Sequence, residues 1–577
     1  MVGPISLYAD LHIFLLHMSQ YRSKSSDIMR DMIKEKIIDD KVLVISAIFA
    51  TLIFTPINFD ALIIPKVIVI FCTALYLSPK LFKFAINNYF SKKIRKIFLV
   101  SLFGALIHLF IIFMVSDAPF DQQLWGRTGR GFGLIVYFSF LIFLFTAIRV
   151  FSRQNIILVL KGIAFSGLIS GGYAILQRHS LDIFAWDSKT NGIIGTLGNP
   201  NFQSSFGSAG YIAMLALVLR SRFKIIFTLL TVLFSLYLIY ICQSTQGYIG
   251  LLAATFVFIA VKLWYQGKFL FYGLLLTGSI FTVFGILGMF NRGPFSYYLY
   301  KVSVESRGDF FRSAFTTANE HPLFGVGLDS FGDHYLANRD SIAANHIFAE
   351  LTDNAHNYFL EFAATGGYPF AVLYLLLILL SLLCLVTLVR KSQNFDHNIS
   401  ALFSVWTVFQ LQSLISPGNI SIMLWNFMVC GAAIGAYVKE NYVVNSFNKY
   451  SSNEKVSLSG VFLIIVGLIL SYPYFNGDRL FRIGLDQRDG NSLIKQVNSY
   501  PRFVNKYRMV GLAFLESNLP EPALMIGKDA VKFNPDAVSG WALIFYNPIV
   551  SASEKNEAKL QIQRLDPWNK EVLAFKY

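Results

Sequence analysis

Along the chain, apolar residues gather in long uninterrupted runs separated by short polar stretches. The runs are too long for strands and too evenly apolar for the one-sided helices of a soluble core. Most approach the roughly 20 residues that carry a helix through hydrocarbon. They fall at residues 42–57, 62–79, 97–116, 131–149, 156–177, 201–219, 224–241, 247–265, 269–290, 366–389, 399–416, 420–438 and 457–475. The pattern therefore predicts an all-α, polytopic membrane protein with about 12–13 transmembrane helices. Beyond residue 475 the apolar runs give way to amphipathic stretches. The expected organisation is an N-terminal segment 1–41, a membrane part 42–475 and a small soluble helical domain 476–577.

Basic residues mark one side of this arrangement. Arg22 to Lys41, the cluster from Lys80 to Lys96, Arg149 with Arg153, Arg220 to Lys224, Lys262 with Lys268, Arg390 with Lys391, and Lys439 with Lys449 all fall between spans on the same predicted face. The positive-inside rule makes that face cytoplasmic, with the N-terminus on it. The opposite, external face receives the loops 117–130, 178–200, 242–246, 291–365 and 417–419 and the tail. The 291–365 loop is too long for a structureless connector. Residues 309–319 and 342–352 within it read as short helices lying over the membrane.

Composition supports the class: 55% of the residues are hydrophobic and 14% charged, with a mean hydropathy of +0.53. The net charge of +15 is dispersed among the loops rather than gathered on one surface, which argues against nucleic acid. Cys72, Cys242, Cys384 and Cys430 have no paired or metal-binding spacing, so no disulfide is expected. The run from Ser6 to Leu16 lacks a preceding basic region, which speaks against a removable signal peptide. In the tail, Lys532-Phe-Asn-Pro-Asp-Ala and Arg564-Leu-Asp-Pro-Trp-Asn place Pro535 and Pro567 about one helical repeat apart. This resembles a degenerate tetratricopeptide array; an unrelated small helical bundle is the alternative.

Candidate chemistry concentrates in the external loops. The first contains Leu124-Trp-Gly-Arg127-Thr-Gly-Arg130-Gly-Phe-Gly133, two guanidiniums at the lip of a span. Guanidiniums match phosphate oxygens with a planar donor fork, although arginines at span ends also simply reach toward the interface. Gly195-Thr-Leu-Gly-Asn199-Pro-Asn201 is a rigid amide-bearing turn suited to a sugar, or an ordinary helix cap. The long loop holds Arg307, Arg312, His321-Pro-Leu-Phe-Gly-Val-Gly327 and Asp353-Asn-Ala-His356-Asn357. A histidine titrates near neutrality and can take a proton from a hydroxyl, and His356 is better placed beside the membrane than His334 or His346. No nucleotide-binding, dinucleotide or zinc motif is visible, and no Asp-x-Asp pair occurs in these loops.

The ordered set of Arg307 through Gly327, His356-Asn357, Leu124 to Gly133 and Gly195 to Asn201 resembles the O-antigen ligase and polymerase family of membrane glycosyltransferases, which also includes bacterial O-linked oligosaccharyltransferases. The likeness covers most of the membrane part. It implies surface polysaccharide, lipopolysaccharide or glycoconjugate assembly at the bacterial cytoplasmic membrane. The implied donor is a glycan on a polyprenyl (undecaprenyl) diphosphate. The implied acceptor is a hydroxyl of a glycan, lipid or protein. Neither metal nor other cofactor is implied, and the sugar centre inverts.

On this resemblance His356 is the base and Arg307 or Arg312 assists. Arg127 and Arg130 contact the diphosphate, with Asn199, Asn201, Gln246 and Asn357 as further substrate contacts. The chain departs from the family at Ser244-Thr-Gln246-Gly, where many relatives carry an arginine; Arg292 is a conceivable substitute. Ligase and polymerase readings stay open, and the tail offers a surface for a protein partner. A transporter or flippase of lipid-linked glycan is the rival, but the sequence shows no inverted repeat and concentrates its polar groups in one-sided loops.

Overall fold

The computed structural model describes residues 39–86, 92–184, 186, 193–346, 351–442 and 458–570. The Ser6–Leu16 run, the basic residues before Asp39 and Lys449 lie outside them. Among the described residues every regular element is a helix. In chain order these begin with α1 (residues 39–52), α2 (Ile64–Ile86), α3 (Lys92–Val115), the short α4 (Phe120–Trp125), α5 (Leu134–Val150), α6 (Ile157–Arg178) and α7 (Pro200–Val218). There follow α8 (Lys224–Cys242), α9 (Thr245–Gln266) and α10 (Lys268–Met289). The long loop carries α11 (Ser296–Leu299), α12 (Val302–Glu320), α13 (Phe331–Asn338) and α14 (Ser341–Asn345). Then come α15 (Tyr358–Lys391), α16 (His397–Ile415), α17 (Ile420–Tyr442) and α18 (Leu458–Gln487). The tail continues with α19 (Gly490–Val497), α20 (Val504–Glu516), α21 (Pro520–Phe533), α22 (Val538–Phe545) and α23 (Ala552–Leu565).

Ten of these helices are long and apolar enough to cross a membrane. α1, α5 and α7 complete the series of thirteen runs expected from the sequence. α17 is buried along nearly its whole length at the centre of the bundle, whereas the apolar stretch of α10 is not buried against other protein. That contrast suits a central helix and a lipid-facing one.

Contacts between chain-distant residues separate two ends of the bundle. At one end Asp39 pairs with Lys80 and Arg149, each at 2.9 Å, and Arg153 meets Asp396 at 3.0 Å and Glu440 at 3.3 Å. These belong to the basic clusters that the sequence assigns to one face. At the other end, Ser116 Oγ donates to Val326 O, Ser244 Oγ to the Asn201 side chain, and Asn419 Nδ2 to Leu197 O. All the loops expected to share a face therefore meet there.

The long loop is helical over more of its length than expected. The 309–319 stretch belongs to α12, which starts at Val302, and α14 accounts for the beginning of the 342–352 stretch. Residues 347–350 lie outside the described residues. α15 also begins earlier than the apolar run at 366–389, because it includes a short leg before a kink at Gly367 (φ 77°, ψ 170°). Pro322 to Gly327 lies along this kink. Val326 N donates to Ala364 O at 2.9 Å, Gly327 N to Thr365 O at 3.1 Å, and Tyr368 N to Pro322 O at 2.8 Å.

This backbone-to-backbone seating explains the glycines of the Pro-Leu-Phe-Gly-Val-Gly segment. A Cβ on Gly325 would overlap the Thr365–Gly366 peptide, and its φ of +63° disfavours any side chain. Gly325→Ala is expected to lower stability by about 2 kcal/mol or more, read as a lower thermal midpoint in detergent. Gly285→Ala on α10 has open space around it and is expected to be neutral or slightly stabilising in the same measurement.

Candidate functional site

The loop between α3 and α5 and the long loop are joined by ion pairs. Gly126 ends α4, and Arg130 N and Gly131 N both donate to Arg127 O, closing a tight turn. From this turn Arg127 Nη2 donates to Asp333 Oδ1 at 2.6 Å, and both side chains are buried. Arg130 grips Asp353 Oδ1 through Nε at 2.9 Å and Nη2 at 2.6 Å. The buried Asp329 carboxylate accepts the backbone N–H groups of Arg127 at 2.6 Å and Phe132 at 3.0 Å. Gln122 Nε2 reaches Asp329 O, Ser330 Oγ and Asp333 Oδ2 at 3.0–3.2 Å.

The electrostatics follow from burial and from these pairings. Burial alone would raise Asp353, but Arg130 beside it, with Arg127 near, holds it at about 2. Burial pushes Asp329 up to about 6 against the two amides it accepts. Arg127 Nε–H and Nη1–H are buried and meet no acceptor among the described residues. Buried guanidinium donors of this kind ordinarily hold a partner, so Arg127 has capacity for an oxyanion or water beyond Asp333.

His356 sits between this cluster and α15. Its backbone N–H donates to Asn354 Oδ1 at 2.8 Å in a tight turn, and its φ is +55°. The ring lies 4.9 Å from the Phe310 ring, centroid to centroid. Nδ1 donates to Asn354 O at 3.0 Å, because a carbonyl can only accept. This fixes the proton on Nδ1 and leaves the Nε2 lone pair as the basic atom. Burial, and then the charges of Arg130 and Arg307, press His356 down to about 4. The imidazole is therefore neutral at pH 7, and both arginines are close enough to influence it.

Arg307 on α12 donates from Nε to Ile415 O at 2.8 Å and from Nη1 to Ser303 O. It thus sits against the C-terminal end of α16, beside Asn357, whose Nδ2 donates to Leu414 O at 3.1 Å.

Several residues singled out in the sequence have partners within the protein. Arg312, five residues along α12 from Arg307, points about 140° away round the helix. It is held by Asp340 at 2.5 Å and Asp309 at 2.6 Å, so its charge is spent in the loop's own scaffold. Asn357 caps α15 by accepting from Phe359 N and Leu360 N, and its Nδ2 donates to Leu414 O. Asn199 caps α7 by accepting from Asn201 N. Asn201 accepts from Ser244 Oγ at 2.7 Å, and Gln246 accepts from Ser416 Oγ at 2.8 Å. Asn201 and Gln246 thus tie the ends of α7, α9 and α16 together. Arg292 is exposed just beyond α10. His346 is committed to Asp309 at 2.7 Å, and His334 stands against His321.

Two features escaped the sequence reading. Asp329, Asp333 and Asp353 are the counter-charges of the arginines, and only their distance in sequence from Arg127 and Arg130 concealed this. Lys66, inside an apolar run, is buried and donates to Thr196 O at 2.5 Å and Ser421 Oγ at 3.3 Å, beneath the Gly195–Asn201 turn.

Compared with known families, residues 229–375 match the model of the family described as O-antigen ligase. The match runs from within α8 to within α15 and includes Arg307, Arg312, Gly325, Gly327 and His356. Arg127, Arg130 and the Gly195–Asn201 turn lie outside it. A search of curated proteins finds no match.

Removing one partner of a buried ion pair strands the other. Asp333→Ala is therefore expected to cost about 3–5 kcal/mol, seen as a large fall in thermal midpoint. Arg312→Ala breaks pairs in which the arginine side chain is 46% exposed, and is expected to cost about 1 kcal/mol or less.

Proposed function

We propose that the protein transfers a glycan from a polyprenyl-diphosphate carrier to an acceptor hydroxyl, at the membrane face bearing the long loop. The observation that carries this reading is the disposition of His356: an imidazole whose Nδ1–H is held by Asn354 O and whose Nε2 meets no hydrogen-bond partner among the described residues, held neutral, with Arg130 and Arg307 both acting on it. The match of residues 229–375 to the O-antigen ligase family supports the same chemistry. On this reading the face is external and the membrane is the bacterial cytoplasmic membrane, as the positive-inside rule implies.

The reaction follows from this arrangement. An acceptor hydroxyl donates its proton to His356 Nε2 as its oxygen attacks the anomeric carbon of the donor sugar. The bond from that carbon to the phosphate oxygen breaks, and its electron pair leaves with the diphosphate. Attack from the face opposite the leaving group inverts the centre. Arg307 and Arg130 stabilise the negative charge growing on the bridging oxygen, and the Nε–H and Nη1–H of Arg127, which meet no acceptor among the described residues, extend that cradle. A diphosphate is already a good leaving group, so positioning and anion stabilisation suffice without a metal. Arg312 serves as an internal strut of the long loop. The sugar acceptor, lipid acceptor and protein acceptor readings share this chemistry and differ only in what presents the hydroxyl.

A flippase would need charged groups along a path through the bundle. The clustered ionisable groups here lie at its two ends, and Lys66 is seated at the loop end beside Thr196, which favours chemistry on one face.

Purified protein given a lipid-diphosphate glycan and candidate acceptors in EDTA is expected to form a new glycosidic bond, with His356→Ala and Arg307→Ala folded but at least ~100-fold slower. Movement of the lipid between vesicle leaflets without bond formation would replace this reading with transport. The pH profile gives a second check. Protonated His356 is inactive, so the acid limb of kcat/KM, which reports the free enzyme, is expected near its value of about 4. The limb of kcat is expected at higher pH, because the bound diphosphate offsets the arginine charges that depress the ring.

A further inference from the structure

The sequence leads one to expect a small helical domain over residues 476–577. It contacts the arginine-bearing loop, directly or through one or two residues, at four places between residues 121 and 129. Arg502 donates from its backbone N at 2.8 Å and from Nε at 3.3 Å to the buried Asp121 carboxylate. Trp125 donates from Nε1 to Tyr500 OH at 2.8 Å, and its ring stacks on Tyr474 at 4.5 Å. Arg127 is reached through its counter-ion, since Asn534 Nδ2 donates to Asp333 Oδ2 at 3.1 Å. Gly129 is reached through two carboxylates. Lys506 Nζ pairs with Asp478 Oδ1 at 2.8 Å, Asp478 Oδ2 accepts from Asp60 N at 2.9 Å, and Asp60 Oδ2 accepts from Gly129 N at 2.7 Å.

The residues contacted are 121, 125, 127 and 129, and the segment ends at Arg130, whose side chain holds Asp353 beside His356. The Lys506–Asp478 pair is buried on both sides, and a further clamp joins the half-buried Arg339, at the end of α13, to the buried Asp566 at 2.8 Å. The two tail corners singled out by Pro535 and Pro567 thus present Asn534 and Asp566 to opposite ends of α13, the helix that carries Asp333.

We infer that the C-terminal helical tail is a template for the donor site, with Lys506 and Asn534 as positioning residues that hold the Arg127–Arg130 turn against the Asp333 and Asp353 carboxylates. This rests on the glycan-transfer reading only for its consequence in turnover; the clamp itself is a property of the fold. It gives the tail a role on the donor side of the reaction. The chemistry of the contacts argues for it over a free docking module, because buried charges paired at 2.8 Å are costly to separate and hold one geometry. Lys506 Nζ lies over the Phe481 and Phe503 rings at 4.7 and 5.3 Å and pairs with Asp478, which would be left facing Asp60 if the lysine were neutralised.

The test uses the full chain with Lys506→Met, Lys506→Arg and Asn534→Ala, and reads hydrogen exchange alongside donor kinetics. Lys506→Met is expected to speed amide exchange selectively in residues 117–133 and to raise KM for the lipid-diphosphate donor roughly tenfold, with kcat changed less than about threefold. Asn534→Ala, the milder change, is expected to move both in the same direction. Lys506→Arg, which keeps the charge, is expected to restore both readouts at least in large part. Unchanged exchange in 117–133, or activity that falls only in step with the folded fraction at constant KM, would overturn the inference. If the wild type makes no glycosidic bond, the exchange data still decide whether the clamp exists, and it is the glycan-transfer reading that fails.

Discussion

Two ion pairs, Arg127 with Asp333 and Arg130 with Asp353, fix the geometry on which the candidate site depends. They connect loops more than 200 residues apart in sequence at one end of a helical bundle. A guanidinium removed from water must be matched by charge or hydrogen bonds, and its planar fork admits few arrangements of the partner. The requirement to satisfy these cations therefore constrains the path of both loops. Asp329 strengthens the same corner by accepting two backbone amides from the arginine-bearing segment, and Gln122 spans the remaining acceptors of the long loop. The Pro322–Gly327 segment supplies the second constraint. Its hydrogen bonds to the kinked start of α15 fix where His356 emerges relative to the bundle.

The resulting electrostatic balance has a chemical meaning. A cluster of free arginines would bind any anion, and would be expensive to keep together when empty. Here Arg127 and Arg130 are each paired with a carboxylate, and the charges of Arg130 and Arg307 still press on the imidazole. The base is therefore held weak in the unliganded protein. In the proposed reaction, the substrate's own negative charge relieves that pressure, so basicity rises when the donor is in place. Arg312, by contrast, is tied to Asp309 and Asp340 and stabilises the loop that carries Arg307.

The sequence reveals the spans because their physics is local. An apolar run of sufficient length must be a helix in hydrocarbon, and basic residues between runs report which ends belong together. The kink in α15 was less legible. Gly366-Gly367 reads as the end of a loop, whereas the helix begins at Tyr358 and bends at Gly367 to seat the neighbouring backbone. Site roles were less legible still. Arg127, Arg307 and Arg312 are the same residue type in similar polar settings, and nothing along the chain shows that Asp333, a main-chain carbonyl of Ile415, and Asp340 are their respective partners. Asn199, Asn201 and Asn357 were legible as amides in turns, but whether an amide caps a helix or faces a sugar depends on the neighbours it meets in three dimensions. The tail contacts were hidden for the same reason: Asn534 and Asp566 stand at equivalent corners of a repeat-like pattern, yet their targets lie in another loop.

A bound diphosphate is expected to change the protonation of His356, which can be observed directly. Histidine-labelled protein would be titrated by NMR in detergent or nanodiscs, alone and with a polyprenyl diphosphate bearing no sugar, and the His356 resonance identified by its loss in His356→Ala. The predicted result is a titration near 4 in the free protein, with Nδ1 protonated, moving up by about one unit or more when the lipid diphosphate is bound. A His356 titration that does not move on binding, or a diphosphate that fails to bind, would contradict the central claim.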